Sequence, residues 1–98
     1  METVSIKNAG LFGAFAKSFN NLAQVKTISA STKFDIVKLR KRMIETAEII
    51  KEAKPNQEEF EQLMSESHTY EFNKIDPKLI VNSLSADDLF NLEPLLKE

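Results

Sequence analysis

Acid–base or nucleophilic chemistry in this chain would have to be assembled around His68, its only imidazole, because the sequence contains no cysteine. A general base needs a nucleophile or an acid partner within hydrogen-bond reach, and nothing in the spacing around His68 supplies one. A single histidine among scattered glutamates is also a poor metal site. His68 therefore reads as a surface or strand-edge imidazole. Glu58, Glu59 and Glu61 form the densest carboxylate cluster. Residues 58 and 61 share a helical face, yet carboxylate sites usually draw their ligands from several elements. The cluster reads instead as a solvated face turned toward the basic half of the chain. Asp87 and Asp88 fall where a helix N-terminus favours negative charge, and they need no further role. Two glycines, Gly10 and Gly13, are too few for a phosphate-cradling loop. No catalytic residue, metal ligand or cofactor is assigned, and a non-enzymatic protein is expected.

The residues that remain carry charge and apolar surface rather than chemistry. Residues 1–54 hold ten Lys/Arg and five Asp/Glu, while residues 55–98 hold three and ten, a polarity hidden by the net charge of −2. Such a split can draw the two halves together or present a basic face to a partner. The basic residues concentrate at Lys33, Lys38, Arg40, Lys41 and Arg42, near the start of the most strongly helical segment. Leu39 and Met43 fix the buried side of that helix, which leaves Lys38, Lys41 and Arg42 pointing outward. Arg40, at the boundary, has the geometry to reach an acidic residue of the C-terminal half. Lys38, Lys41 and Arg42 are candidate partner-binding residues, with an acidic protein favoured over nucleic acid, since the chain as a whole is acidic. Phe12, Phe15 and Phe19 form a second candidate contact: a stripe that serves either as core or as an apolar face for another subunit. Self-association would run head to tail between the basic and acidic halves, or about a two-fold axis through the Phe face.

The elements that must position these residues follow from periodicity. Val4 and Ile6 alternate with polar neighbours, which predicts a short half-buried strand. Asn8 is placed to cap the helix that carries Leu11, Phe12, Phe15, Phe19 and Leu22 at three- and four-residue steps. Gly10 and Gly13 weaken its first turn and admit close approach of another backbone. Residues 24–32 are short, polar and β-branched and read as a connection. Ser31 or Thr32 then caps a long helix over 33–53, roughly 30 Å in length. Its buried stripe is Ile36, Leu39, Met43, Ala47 and Ile50, widened by Val37, Ile44 and Ile49. Pro55 ends it, and Asn56 starts an acidic amphipathic helix with Phe60, Leu63 and Met64. At His68 the period switches to two, which predicts a second strand to about Ile75. An isolated strand leaves its backbone groups unsatisfied, so the stretch Thr69–Lys74 is expected to pair with Val4–Lys7. Asp76-Pro77 opens a turn or short helix. Ser85-Ala-Asp-Asp88 resembles a capping box that starts a last helix with Leu89, Phe90 and Leu92.

The resulting fold is α+β and mostly helical: a long central helix, three or four shorter ones and a small two-stranded β element, in a single domain over 1–98. Hydrophobic content of 42% with 29% charged residues suits a soluble globular protein. No apolar run approaches the ~20 residues of a membrane span, and Met-Glu-Thr-Val does not open like a signal peptide. A soluble, non-secreted protein without a membrane partner is expected.

The layout resembles a group of small proteins of phages and prophages. The points of likeness are Ile6-Lys7-Asn8 after the opening strand, the Lys/Arg/Glu-rich helix Val37–Ala53, a Glu-rich short helix followed by a strand, and the closing Ser85-Ala86-Asp87-Asp88-Leu89 and Leu92-Glu93-Pro94-Leu95. The chain is shorter between Ala53 and Phe60 than such proteins are. The resemblance implies a phage-encoded accessory protein, in the host cytoplasm or the virion, and brings no activity and no functional residues. The expected role is a protein–protein interaction component, virion-associated or assembly accessory. The alternative is a small regulator or inhibitor of a host protein or nucleic-acid process.

Overall fold

A computed structural model describes residues 2–98 of the chain. Strand β1 (Thr3–Lys7) leads into a 3₁₀ turn (Asn8–Phe12), then helices α1 (Ala14–Ala23), α2 (Ala30–Glu52) and α3 (Gln57–Ser65). Strand β2 (Ser67–Glu71), a 3₁₀ turn (Pro77–Leu79), helix α4 (Ala86–Asn91) and a last 3₁₀ turn (Glu93–Leu95) follow. The fold is α+β and mostly helical, as the periodicities predict.

The strands form one antiparallel pair with Thr3 opposite Glu71, Val4 opposite Tyr70 and Ile6 opposite His68. The expected partnership holds, but β2 starts one residue earlier than predicted and ends well before Ile75. The reason is the length of its partner. The Phe72 N–H donates to the Glu2 carbonyl (2.9 Å), and beyond it β1 has little chain left to pair with. Ile75 pairs instead with the C-terminal tail: its N–H donates to the Leu95 carbonyl, and the Lys97 N–H donates to the Ile75 carbonyl, both at 2.9 Å.

Helix α2 begins three residues before the predicted start, because Ser29 rather than Ser31 or Thr32 is its cap: the Ser29 hydroxyl accepts from the Thr32 N–H. Its 23 residues span about 34 Å and set the 42 Å long dimension of the molecule. The helix ends at Glu52, and Lys54 takes the left-handed conformation (φ 48°) just ahead of Pro55. Helix α3 opens with a reciprocal capping box, in which the Asn56 side chain accepts from the Glu59 N–H and the Glu59 carboxylate accepts from the Asn56 N–H. Two of the unbonded N–H groups at the helix start are thereby satisfied.

The core lies between α1, the buried stripe of α2, the inner face of the β pair and the C-terminal segments. Phe19, Leu22, Ile36, Leu39, Phe72, Ile80, Leu92 and Leu95 are its most enclosed side chains. Val25 and Ile28 join it, so the polar stretch before α2 anchors itself by two side chains. Phe15 and Phe19 stack on α1 with centroids 6.2 Å apart and are both buried. Of the two readings of the Phe stripe, core holds for Phe15 and Phe19, which are therefore not a contact face for another subunit. Gly13 separates the 3₁₀ turn carrying Leu11 and Phe12 from α1, so Phe12 diverges from the stripe and stays at the surface. The close neighbour of Gly10 is a side chain, not a backbone: a Cβ there would stand 3.2 Å from the Cβ of Phe15.

Candidate interaction surface

The outward side of α2 is built by the same geometry that buries its inner stripe. Ile36, Leu39, Met43 and Ile50 recur at steps of three, four and seven residues and face the core. Val37, Ile44 and Ile49, expected to widen that stripe, are turned away from it and exposed. Residues one position from a buried stripe are rotated by about 100°. Val37 and Ile44 fall on one flank and Ile49 on the other, where it borders β2, and all three keep much of their surface in solvent. Phe34, two positions from Ile36, lies nearly opposite the core and is 64% exposed, and Ile49 is 66% exposed.

Lys38, Lys41 and Arg42 stand among these apolar side chains and point outward as predicted. The Lys38 ammonium lies 5.1 Å from the centre of the Phe34 ring, a cation–π contact that holds both side chains over the helix surface. Arg42 meets Glu45 at 3.7 Å, with both side chains largely exposed, an arrangement that contributes little to stability. Lys41 projects freely between Val37 and Ile44. Phe12, at the other end of the helix, is capped by the Lys51 ammonium at 5.7 Å. The six candidate residues therefore part company: Lys38, Lys41 and Arg42 share one exposed helix face, Phe12 sits at a distant turn, and Phe15 and Phe19 are in the core.

The charge polarity is not closed by ion pairs. Among the described residues Arg42–Glu45 is the one salt bridge, and it lies within α2. Arg40 does not reach a carboxylate of the C-terminal half. Its Nε is buried without a hydrogen-bond partner, beside a shallow apolar recess formed with Leu11, Phe19 and Met43.

Beside α2 an open groove of about 410 Å³ runs along β2, lined by Lys38, Arg42, Glu45, Thr46 and Ile49 on the helix and by residues 68–71 on the strand. The Tyr70 hydroxyl donates to Thr46 Oγ1 (3.2 Å) and ties the middle of the helix to the strand. His68 is exposed at this strand, and its Nδ1 lies 2.7 Å from Asn8 Oδ1. Asn8 is fully buried, and its Nδ2 donates to the Leu63 carbonyl (2.8 Å). That leaves Oδ1 as the acceptor, so the His68 Nδ1 carries the hydrogen. Asn8 thus does not cap α1, as its sequence position suggested. It pins the C-terminal end of α3 and the start of β2 to the end of β1.

Asp88 has a role beyond helix polarity. The Ser85 hydroxyl accepts from the Asp88 N–H (3.1 Å) as the cap of α4, while the Asp88 carboxylate accepts from the buried Ser18 hydroxyl (2.8 Å) and the Asn21 amide. The Ser18 hydroxyl holds the carboxyl below its ordinary value of 3.8, with desolvation opposing and Asn21 and Ser85 assisting. This network joins α4 to α1. The only signal for it in sequence is a serine inside an otherwise apolar helix face. No group of carboxylates and histidine able to hold a metal ion occurs among the described residues, and no helix among them is long and apolar enough to cross a membrane.

Comparison with family models, with curated proteins and with solved structures gives no match.

Proposed function

We propose that this chain is a non-enzymatic interaction protein whose partner is a protein docking on the outward face of α2. The observation that carries this reading is the exposure of Phe34, Val37, Ile44 and Ile49 in alternation with Lys38, Lys41 and Arg42 along one helix. A solvated helix face normally carries few large apolar side chains, and exposed apolar surface of this extent marks an interaction site. Aromatic and arginine side chains placed together are also the residues that most often anchor protein interfaces. The cations favour an acidic partner and a rate of association that falls as salt rises. Nucleic acid is disfavoured by the apolar side chains between the cations, which leave no continuous basic track for phosphates.

His68 supports the non-enzymatic reading. One ring nitrogen is committed to Asn8, and no nucleophile stands beside the other among the described contacts. Turnover of any substrate that disappears on changing His68 would overturn it.

The resemblance to small phage proteins gives the reading a setting, as a virion-associated or assembly accessory component. Purified particles are the test. A structural component is present in them in stoichiometric copies. A regulator or inhibitor of a host process is absent from particles and is made early in infection. The partner itself is accessible by placing a photo-reactive side chain at position 41 and identifying what it captures. Capture that requires the folded chain supports the face; capture unaffected by unfolding contradicts it.

A further inference from the structure

The β pair has an unpaired edge, and its surroundings specify what completes it. The bonds flanking the ladder fix its phase: the Asn8 N–H donates to the Glu66 carbonyl (2.8 Å), and the Phe72 N–H donates to the Glu2 carbonyl (2.9 Å). Antiparallel partners alternate between bonded and non-bonded pairs. Residues 66, 68, 70 and 72 therefore turn their backbone groups toward β1, and Ser67, Thr69 and Glu71 turn theirs outward. β1, by contrast, packs beside the 3₁₀ turn at Glu93–Leu95. Edge strands are protected by shortness, a charged side chain, a proline, a bulge or a covering element. The one charge on β2 is Glu71 at its end, and of proline, bulge and lysine the strand has none. The register of Ser-His-Thr-Tyr-Glu runs unbroken over five pairs. The outward groups open onto the groove beside α2.

We propose that this edge pairs with the same edge of a second copy of the chain, about a two-fold axis at Thr69, to give a continuous four-stranded sheet. The dimer contacts share Lys38, Arg42 and Ile49 with the α2 face proposed above for an outside partner, while Phe34, Val37, Lys41 and Ile44 lie outside the groove.

A second copy fits because the edge is self-complementary, as a two-fold interface requires. Outward-facing residues must oppose one another for the ladder to form, so Thr69 faces Thr69, and Ser67 faces Glu71. Threonine pairs stabilise antiparallel neighbours, and no like charges meet. The helix stripe lining the groove obeys the same symmetry. Lys38, Arg42, Glu45 and Ile49 lie along one line of α2. Two antiparallel copies of that line set Arg42 against Glu45 twice, and the Lys38 stem against Ile49 twice. The Tyr70–Thr46 hydrogen bond holds the 42–46 turn against the strand, which brings both sets of contacts to one axis. Of the two modes of self-association read from the sequence, the two-fold one ran through the Phe stripe, but Phe15 and Phe19 are already used by the core.

Sedimentation of the full chain over a concentration series at low salt tests the proposal, with hydrogen exchange at single amides. The wild type is expected to dimerise and to gain protection at the Thr69 and Glu71 amides as it does so. Thr69→Pro removes an outward N–H while leaving the bonds to β1 intact, and is expected to weaken the dimer by about tenfold or more. Arg42→Glu sets two glutamates against each other and weakens it independently of strand folding. Arg42→Glu with Glu45→Arg restores the opposition of charges and should return the affinity to within about twofold of wild type. A wild type that stays monomeric to about 1 mM overturns the proposal. So does a dimer that Arg42→Glu leaves unchanged, or one that forms without protection at Thr69 and Glu71.

Discussion

Removing the Asn8 side chain tests whether the β2 edge and its groove are held as described. Asn8→Ala deletes two short bonds, Nδ2–H to the Leu63 carbonyl at 2.8 Å and the His68 Nδ1–H to Oδ1 at 2.7 Å, from a side chain with no solvent exposure. Each neutral hydrogen bond contributes about 0.5–1.5 kcal/mol net, which gives about 1–3 kcal/mol for the pair. The groups left behind add little. The Leu63 carbonyl still accepts from the Glu66 N–H (3.2 Å), and His68 is exposed and meets water. A loss near 2 kcal/mol lowers the melting temperature of a chain of this size by about 8–16 °C. Calorimetry or circular dichroism reads it directly. A double-mutant cycle with His68→Ala isolates the shared bond, expected at about 1 kcal/mol of coupling. A shift below about 2 °C, or no coupling to His68, refutes the claim that Asn8 ties β1, α3 and β2 together.

Two further outcomes follow from local geometry. The Asp88 pKa is lowered in the folded chain, so its stabilisation is full above the unfolded value of 3.8 and is lost as pH falls through the lowered folded value. Urea midpoints of Asp88→Asn should therefore lie below wild type at neutral pH and converge with it in acid; a pH-independent gap refutes the network. Lys54, a non-glycine residue at φ 48° after α2, carries steric cost, so Lys54→Gly is expected to raise stability by about 1 kcal/mol in denaturant titrations, and any decrease contradicts this.

What the sequence made legible was periodicity, and it failed where tertiary neighbours decide. The alternation at Val4 and Ile6 and at Tyr70 and Phe72 gave both strands and their pairing, because one face of each is buried and period two has a single reading. The stripe Ile36–Leu39–Met43–Ile50 was equally plain. Its flanks were not: Val37, Ile44 and Ile49 are apolar, but whether another element covers them depends on packing that no local pattern encodes. The same holds for Phe12, which Gly13 detaches from a stripe that looks continuous on a helical projection. Asn8 and Asp88 were read as helix-end residues because their side chains favour such positions. One is buried and holds α3 and His68 across a long sequence separation, and the carboxylate of the other holds α1 while Ser85 caps its helix. Of the candidate site, the outward direction of Lys38, Lys41 and Arg42 was readable from the buried stripe alone. The groove beside them was not, since it exists only once β2 lies against α2.

The outward face of α2 as a binding surface is tested most directly by the affinity of the partner captured at position 41 for wild type and for Lys41→Glu with Arg42→Glu. Both side chains are exposed, so the double change should leave folding nearly intact, at about 0–1 kcal/mol for each charge. Wild-type affinity is expected to fall with rising salt, and the double variant to lose about tenfold or more. Binding that is indifferent to salt and unchanged by both substitutions would contradict a binding role for this face.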